Sequence, residues 1–200
     1  MYYIKQAFVS FAYLVFLSLT AIGFLLIGND LMWLKVIFCV LDVALYVFIV
    51  GAMSFKDGET ALKVRIANDL ERKEIIRTGE DRPLKLKEEY KPWKGFLSGA
   101  ITCVPLIIFL IIHTLDLLVF KNGSMRAGGF AGMLYMIVFD FTRIDLNVAA
   151  TAYEYYWTLT AIPLITLTTG IPYIMGAKKI EKQQKRIQSI QAEIYGGTKQ

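Results

Sequence analysis

Three ionisable side chains lie well inside long apolar blocks of this sequence: Asp42, His113 and Asp116. Lys35 lies only one turn inside the start of its block, where its long side chain can reach the interface. A charge held in hydrocarbon costs several kcal/mol, so such residues mark functional sites or become neutral. Counted from the predicted outer ends of their helices, Asp42 lies about 16 Å deep, His113 about 10 Å and Asp116 about 6 Å. The pattern predicts a proton or cation relay reached from outside. The structural alternative is that neutral Asp42 and neutral His113 hydrogen-bond across helices, while Asp116 is hydrated near the headgroups.

Patterns typical of enzyme active sites and cofactor sites are missing from the sequence. It has no glycine-rich phosphate loop, no HExxH, no GxSxG and no CxxC. The one histidine leaves little scope for metal or triad chemistry, and Cys39 and Cys103 both lie in apolar blocks. We therefore expect no cofactor and no metal, and the sequence favours a non-enzymatic protein. A lipid-acting enzyme is the weakest alternative, because only the outer side offers a polar cluster, at Asp140, Arg143, Asp145 and Glu154.

The elements that must position these residues are four apolar blocks, at residues 7–28, 31–53, 96–120 and 157–175. With 56% hydrophobic residues and a mean hydropathy of +0.48, the chain is too apolar for a soluble enzyme. About 20 residues of helix cross roughly 30 Å of hydrocarbon. The first block is longer than the roughly 7–15 apolar residues of a signal peptide, so we expect it to be retained. The sequence predicts an all-α integral membrane protein, a four-span helical bundle in a single membrane domain over residues 1–200.

A fifth apolar block, at residues 130–141, has only about a dozen residues, which is too few to span a bilayer. Extending it would bring three charged side chains into hydrocarbon. We therefore expect a re-entrant or interfacial helix within an outer loop over residues 121–156. It is expected to pack through Gly128 and Gly132, whose spacing lets helices approach closely.

Basic residues are unevenly distributed along the chain. The central loop, residues 54–95, has eleven Lys and Arg against nine Asp and Glu, and the tail, residues 176–200, has six against two. The predicted outer loop has three of each. Because Lys and Arg that flank membrane spans stay in the cytoplasm, the net charge of +5 is concentrated on the predicted cytoplasmic side. We expect both termini and the central loop to be cytoplasmic, and the plasma membrane to be the location.

The central loop and the tail both contain helical patterns suited to binding a partner. Leu62, Ile66 and Leu70 form a thin apolar stripe in the loop. The tail repeats isoleucine at the spacing of a coiled-coil seam, with Gln183 at one seam position, but over barely two heptads it is too short to be stable alone. We expect the tail to continue the fourth span and to pack against the loop helix or a partner. The seam isoleucines are Ile180, Ile187, Ile190 and Ile194.

The same tail is strongly basic, through Lys178, Lys179, Lys182, Lys185 and Arg186. Each of these side chains can interact with anionic lipid, which is worth on the order of 1 kcal/mol near the surface. The alternative is a basic flank that only sets the topology.

The fourth block is rich in threonine and also contains Pro163, Gly170 and Pro172. Kinked membrane helices with exposed carbonyl groups form transport sites. The alternative is that each hydroxyl bonds the preceding turn of its own helix, which is common in membrane helices. The threonines are Thr158, Thr160, Thr166, Thr168 and Thr169.

Two functional hypotheses from different classes follow. The first is a non-enzymatic accessory or assembly subunit, which docks a protein partner or a second copy of itself through the central loop and tail. This first hypothesis is favoured because the apolar blocks contain few charged groups. The alternative is a small proton- or ion-coupled transporter or channel that uses Asp42 and His113. In either case the lipid bilayer is a partner, and nothing in the sequence indicates nucleic-acid binding.

Overall fold

The computed structural model describes residues 2–25, 32–79, 90–120, 126–135 and 153–196, and these residues form helices without any β-strand. In chain order the described α-helices are α1 (Tyr2–Leu25), α2 (Met32–Thr78), α3 (Trp93–Thr102), α4 (Val104–Leu115), α5 (Arg126–Leu134) and α6 (Ala161–Gly196). A π-helical turn (Asp116–Phe120) extends α4, and a 3-10 segment (Glu154–Thr160) precedes α6.

Three of the described helical stretches are long and apolar enough to cross a membrane: Tyr3–Gly23, Trp33–Thr78 and Glu154–Ile194. The stretches Trp93–Thr102 and Val104–Val119 form a fourth when they are taken together, with a bend of 43° between them. These findings confirm the prediction of an all-α protein with several apolar helices of membrane length.

The bend lies where a proline interrupts the third apolar block. Pro105 is close to the first residue of α4, and because it has no N–H it cannot donate a helical hydrogen bond to the carbonyl of Ile101. The neighbouring carbonyl of Thr102 accepts a hydrogen bond from the Tyr135 hydroxyl, at 2.7 Å. A polar side chain that follows α5 therefore binds the backbone at the bend.

The helix predicted in the central loop is a direct continuation of the second apolar block. α2 is one uninterrupted helix of 47 residues. It ends at Thr78, where Gly79 has a φ of 70° and donates its N–H to the carbonyl of Ile75 at 2.9 Å. Glycine adopts this left-handed conformation without a steric penalty, which suits it to ending a helix. The part of α2 after Met53 extends about 37 Å beyond the apolar block.

The fourth apolar block likewise continues without interruption into the tail, since α6 runs for 36 residues. The predicted start of this span, at residue 157, lies in the 3-10 segment rather than in α-helix. Pro163 has no N–H with which to bond the carbonyl of Leu159, so the regular α-helical bonding pattern is interrupted there. The structure therefore differs from the prediction in the type of helix at this end.

Glycines bring α6 very close to both α2 and α3. Gly58 of α2 lies against the backbone of Tyr173, and Gly176 of α6 lies against the backbone of Phe55. α3 approaches α6 at Gly99. A Cβ atom at any of these glycines would overlap the neighbouring helix, so the missing side chains set the distance between the axes.

The short helix α5 buries one face against the bundle. Ala131 and Tyr135 are completely buried, and Phe130 stacks on Phe109 of α4 with ring centroids 5.9 Å apart. Of the predicted helical block 130–141, residues 136–141 lie outside the described residues. The described part packs one face on α1 and α4, while Phe130 and Met133 on its other face are exposed.

Candidate functional site

The first candidate site is formed by α2 and α6, which run in the same direction. Gly51 of α2 lies against Thr168, and further along α2 the Glu59 carboxylate contacts Lys179. Because the contacts follow the same order along both helices, the two helices are parallel. Their closest approach, at Gly58 and Gly176, lies where the apolar sequence ends.

We call residues 54–78 of α2 and 176–196 of α6 the helical pair. A groove of about 310 Å³ lies between its two helices. Two residues of the apolar stripe, Ile66 and Leu70, and two isoleucines of the seam, Ile180 and Ile187, line this groove. The lining side chains are Lys63, Ile66, Ala67, Leu70, Ile180, Gln183, Gln184 and Ile187.

Apolar side chains at the far end of the helical pair are exposed. Ile180 is buried where the helices are close, but Leu70 is 63% exposed and Ile187 is 55% exposed. Ile190 and Ile194 continue the exposed row along α6. Outside the apolar blocks, such a row has no lipid to cover it, which is typical of a helix that binds another helix.

One set of contacts joins the two helices of the pair near the apolar blocks, and a second contact packs the segment before α3 on α6. The Lys179 ammonium lies 2.7 Å from the Glu59 carboxylate and 5.3 Å above the Phe55 ring. Tyr90, just before α3, stacks on Tyr173 of α6 with ring centroids 5.5 Å apart. Neither contact was predictable from the sequence, because each joins residues more than eighty positions apart.

The helical pair has a strong positive charge. Its eleven basic and seven acidic residues give a net charge of +4. All five predicted basic tail residues are exposed: Lys178, Lys179, Lys182, Lys185 and Arg186. Lys185 forms an exposed ion pair of 2.8 Å with Glu181, and its hydrogen bond lowers the pKa of that carboxyl.

Asp42 lies on α2 and faces α1. The residue is only 5% exposed, and it is hydrogen-bonded to the Thr20 side chain. Two further polar contacts join the same helices, from Gln6 Nε2 to Ser54 Oγ and between the hydroxyls of Ser10 and Tyr46, each 2.8 Å long. The interior of the bundle is therefore more polar than its few charged residues suggested.

The neighbours of His113 differ from those of Asp42. It is buried, and its ring contacts those of Tyr155 and Tyr156, with centroids 5.3 and 5.9 Å away. Gly128 of α5 packs against the imidazole, where a Cβ atom would lie 2.8 Å from Nδ1. His113 thus contacts α5 and the 3-10 segment, whereas Asp42 contacts α1. Asp116, half-buried, begins the π-helical turn.

The aromatic neighbours of His113 were not among the predicted site residues. Tyr155 and Tyr156 follow one another just before the fourth block, and this position fits an aromatic belt at a membrane interface. The Tyr156 hydroxyl also hydrogen-bonds Thr114 at 2.7 Å. A hydrogen-bonded tyrosine beside a buried histidine is visible only once the helices are packed.

The threonines of the fourth block all bond their own helix. Each hydroxyl donates to a carbonyl three or four residues earlier, as in Thr168 to Leu164 at 2.7 Å and Thr169 to Ile165 at 3.1 Å. The same holds for Thr158, Thr160 and Thr166. This is the local bonding expected of ordinary membrane helices.

Within the described parts of the chain, no group of three or more His, Cys, Asp or Glu side chains is arranged to hold a metal ion. The sequence matches no protein-family model, no curated protein and no solved structure at a significant level.

Proposed function

We propose that this chain is a four-span integral membrane protein that acts as a non-enzymatic accessory or assembly subunit. Its place is the plasma membrane, with both termini in the cytoplasm and α5 re-entering the bundle from the outer side. The observation that carries the proposal is the helical pair, in which two helices of the bundle continue far beyond their apolar blocks. Together they offer an apolar groove and a row of exposed isoleucines.

The occupant that fits this groove best is an amphipathic helix of a partner protein, with an apolar face and acidic flanks. A groove between two parallel helices accepts a third helix, whose apolar residues fill it at helical spacing. The net charge of +4 on the helical pair attracts acidic flanks. The same charge opposes docking of a second copy through this surface.

The experiment is photo-crosslinking of the full chain in native membranes. A photo-reactive amino acid replaces Ile187, and mass spectrometry identifies the crosslinked peptide. We expect a heterologous peptide from a helix with acidic flanks, lost on Leu70→Gln. The matched control is Ile76→Gln, because Ile76 is also strongly exposed on α2 but does not line the groove. Crosslinks only to another copy of the chain, or to lipid alone, would contradict the proposal.

A proton- or ion-coupled transporter is the second candidate, and the observation that favours it is Asp42. Its carboxyl group is buried at membrane depth in a row of polar contacts between α1 and α2. Reconstituted protein should then carry a proton or cation flux that Asp42→Asn abolishes and Ser189→Ala, on the exposed part of α6, does not change. Flux that persists in the Asn variant excludes Asp42 as the relay.

A further inference from the structure

Hydrogen bonds and close contacts align four helices at one end of the bundle. Gln6 of α1 hydrogen-bonds Ser54 of α2, so these two residues lie at the same height along the bundle. Gly58 of α2 lies against Tyr173 of α6, and Gly95 of α3 lies against the same tyrosine. These contacts place the start of α1, the middle of α2, the start of α3 and the middle of α6 at a common height.

Each of these four helices has lysine at that height. Gly176 of α6 also lies against Phe55 of α2. Since one helical turn of 3.6 residues rises about 5.4 Å, residues within four positions of these aligned contacts lie within about one turn of them. We call the set the lysine belt. It consists of Lys5, Lys56, Lys91, Lys94, Lys178 and Lys179.

The belt is accessible and only partly neutralised. All of its residues are exposed except Lys94, which is half-buried. Among the described residues within four positions of the aligned contacts, two are acidic, Asp57 and Glu59, and Glu59 is paired with Lys179. Trp93 lies beside the belt, 52% exposed, with the Lys91 ammonium 6.0 Å from its ring. An exposed tryptophan beside lysines is typical of the headgroup layer of a membrane.

We infer that the lysine belt binds the headgroups of anionic phospholipids. The inference rests on the proposed membrane insertion but not on the docking of a partner. It divides the five basic tail residues into two sets. Lys178 and Lys179 belong to the belt, whereas Lys182, Lys185 and Arg186 lie about 5–12 Å further along α6. At physiological ionic strength that distance is comparable with the Debye length of about 8 Å, so the second set contributes less.

The test uses tryptophan quenching by brominated lipids in the full chain. Trp93 is kept, and Trp33 and Trp157 are replaced by phenylalanine; a second protein keeps only Trp33, at the opposite end of the bundle. Both are placed in nanodiscs that contain brominated phosphatidylglycerol or brominated phosphatidylcholine. We expect Trp93 to report a preference for phosphatidylglycerol, and Trp33 to report none.

Two matched variants each remove three positive charges. One removes them from the lysine belt, and the other from the basic residues further along α6. Replacing Lys56, Lys91 and Lys178 by glutamine should weaken the phosphatidylglycerol preference at Trp93 on the order of 100-fold. Replacing Lys182, Lys185 and Arg186 by glutamine should leave most of it intact. Circular dichroism checks that each variant is folded.

Three outcomes would overturn the inference. The first is an equal lipid preference at Trp93 and Trp33, and the second is a preference that survives in the belt variant. The third is loss of the preference when inorganic phosphate replaces chloride at equal ionic strength, which indicates a site for free phosphate. Absence of quenching by either lipid at both tryptophans would instead contradict membrane insertion, so the two failures are distinguishable.

Discussion

The Ser18 hydroxyl of α1 donates a hydrogen bond of 3.0 Å to the carbonyl of Leu134, the last residue of α5. The last carbonyls of a helix have no partner within it, and a buried carbonyl must find its partner elsewhere in the protein. Ser18 is itself buried, so this hydroxyl satisfies the end of α5 within the core. Together with the Tyr135 bond to Thr102, it fixes how deeply α5 enters the bundle.

Ser18→Ala should destabilise the protein by about 1 kcal/mol, because the Leu134 carbonyl then loses its buried partner. Thermal or denaturant unfolding in detergent measures the effect. Ser189→Ala is the control, since Ser189 is exposed on α6 and bonds only its own helix, at Arg186. Equal stability of the two variants would mean that Ser18 is not needed to hold the end of α5.

Gly58→Ala should separate α2 from α6 and cost about 1–3 kcal/mol, as overpacking typically does. A Cβ atom there would overlap the backbone of Tyr173, which no change of rotamer can relieve. Gly129→Ala is the control, because no heavy atom lies within 4 Å of its added Cβ. In a helix that control should be neutral or should stabilise by roughly 0.5–1 kcal/mol. Unfolding of both variants is compared, and a Gly58→Ala protein as stable as the control would refute this close approach.

The sequence predicts the features that depend on local pattern. The apolar blocks and the helical patterns of the central loop and the tail all follow from residues near one another in the chain. Features that depend on packing between distant segments were not predictable in this way. Gly58 and Gly176 are more than one hundred positions apart. In the sequence, either glycine alone is simply a residue of low helix propensity.

The candidate site also combines features that were predictable from local sequence with features that depend on packing. The stripe in the loop and the seam in the tail are each visible as helical periodicity, but only the folded chain shows that Ile66 and Ile187 line one groove. Likewise, Asp42 and His113 are conspicuous as ionisable residues in apolar blocks. Their neighbours Thr20 and Tyr155 come from other elements, so the sequence alone does not identify them.

Exchanging the partners of the ion pair between Glu59 and Lys179 tests its contribution to the helical pair. Glu59→Lys alone should destabilise the protein, and adding Lys179→Glu should restore most of the loss. The Lys179 side chain is 53% exposed, so we expect a coupling of at most about 1 kcal/mol. A double-mutant cycle from unfolding curves measures it. The exposed pair of Lys185 and Glu181 is the control, and coupling at Glu59 no larger than there would contradict a special role.

Tyr90 should make stability fall at alkaline pH. Burial against Tyr173 raises the pKa of the Tyr90 phenol above its usual value of 10.0; Arg65 opposes this effect and Glu181 adds to it. Because the folded chain holds the proton more tightly than the unfolded chain, the stabilisation is complete below pH 10 and is lost as the pH rises through the folded-state pKa. Tyr90→Phe should therefore lose stability less steeply than the parent protein above this pH. Unfolding is measured for both proteins from neutral to alkaline pH, with Tyr153→Phe, an exposed tyrosine, as the control. Identical pH profiles for the parent and Tyr90→Phe would show that Tyr90 titrates as it does in the unfolded chain.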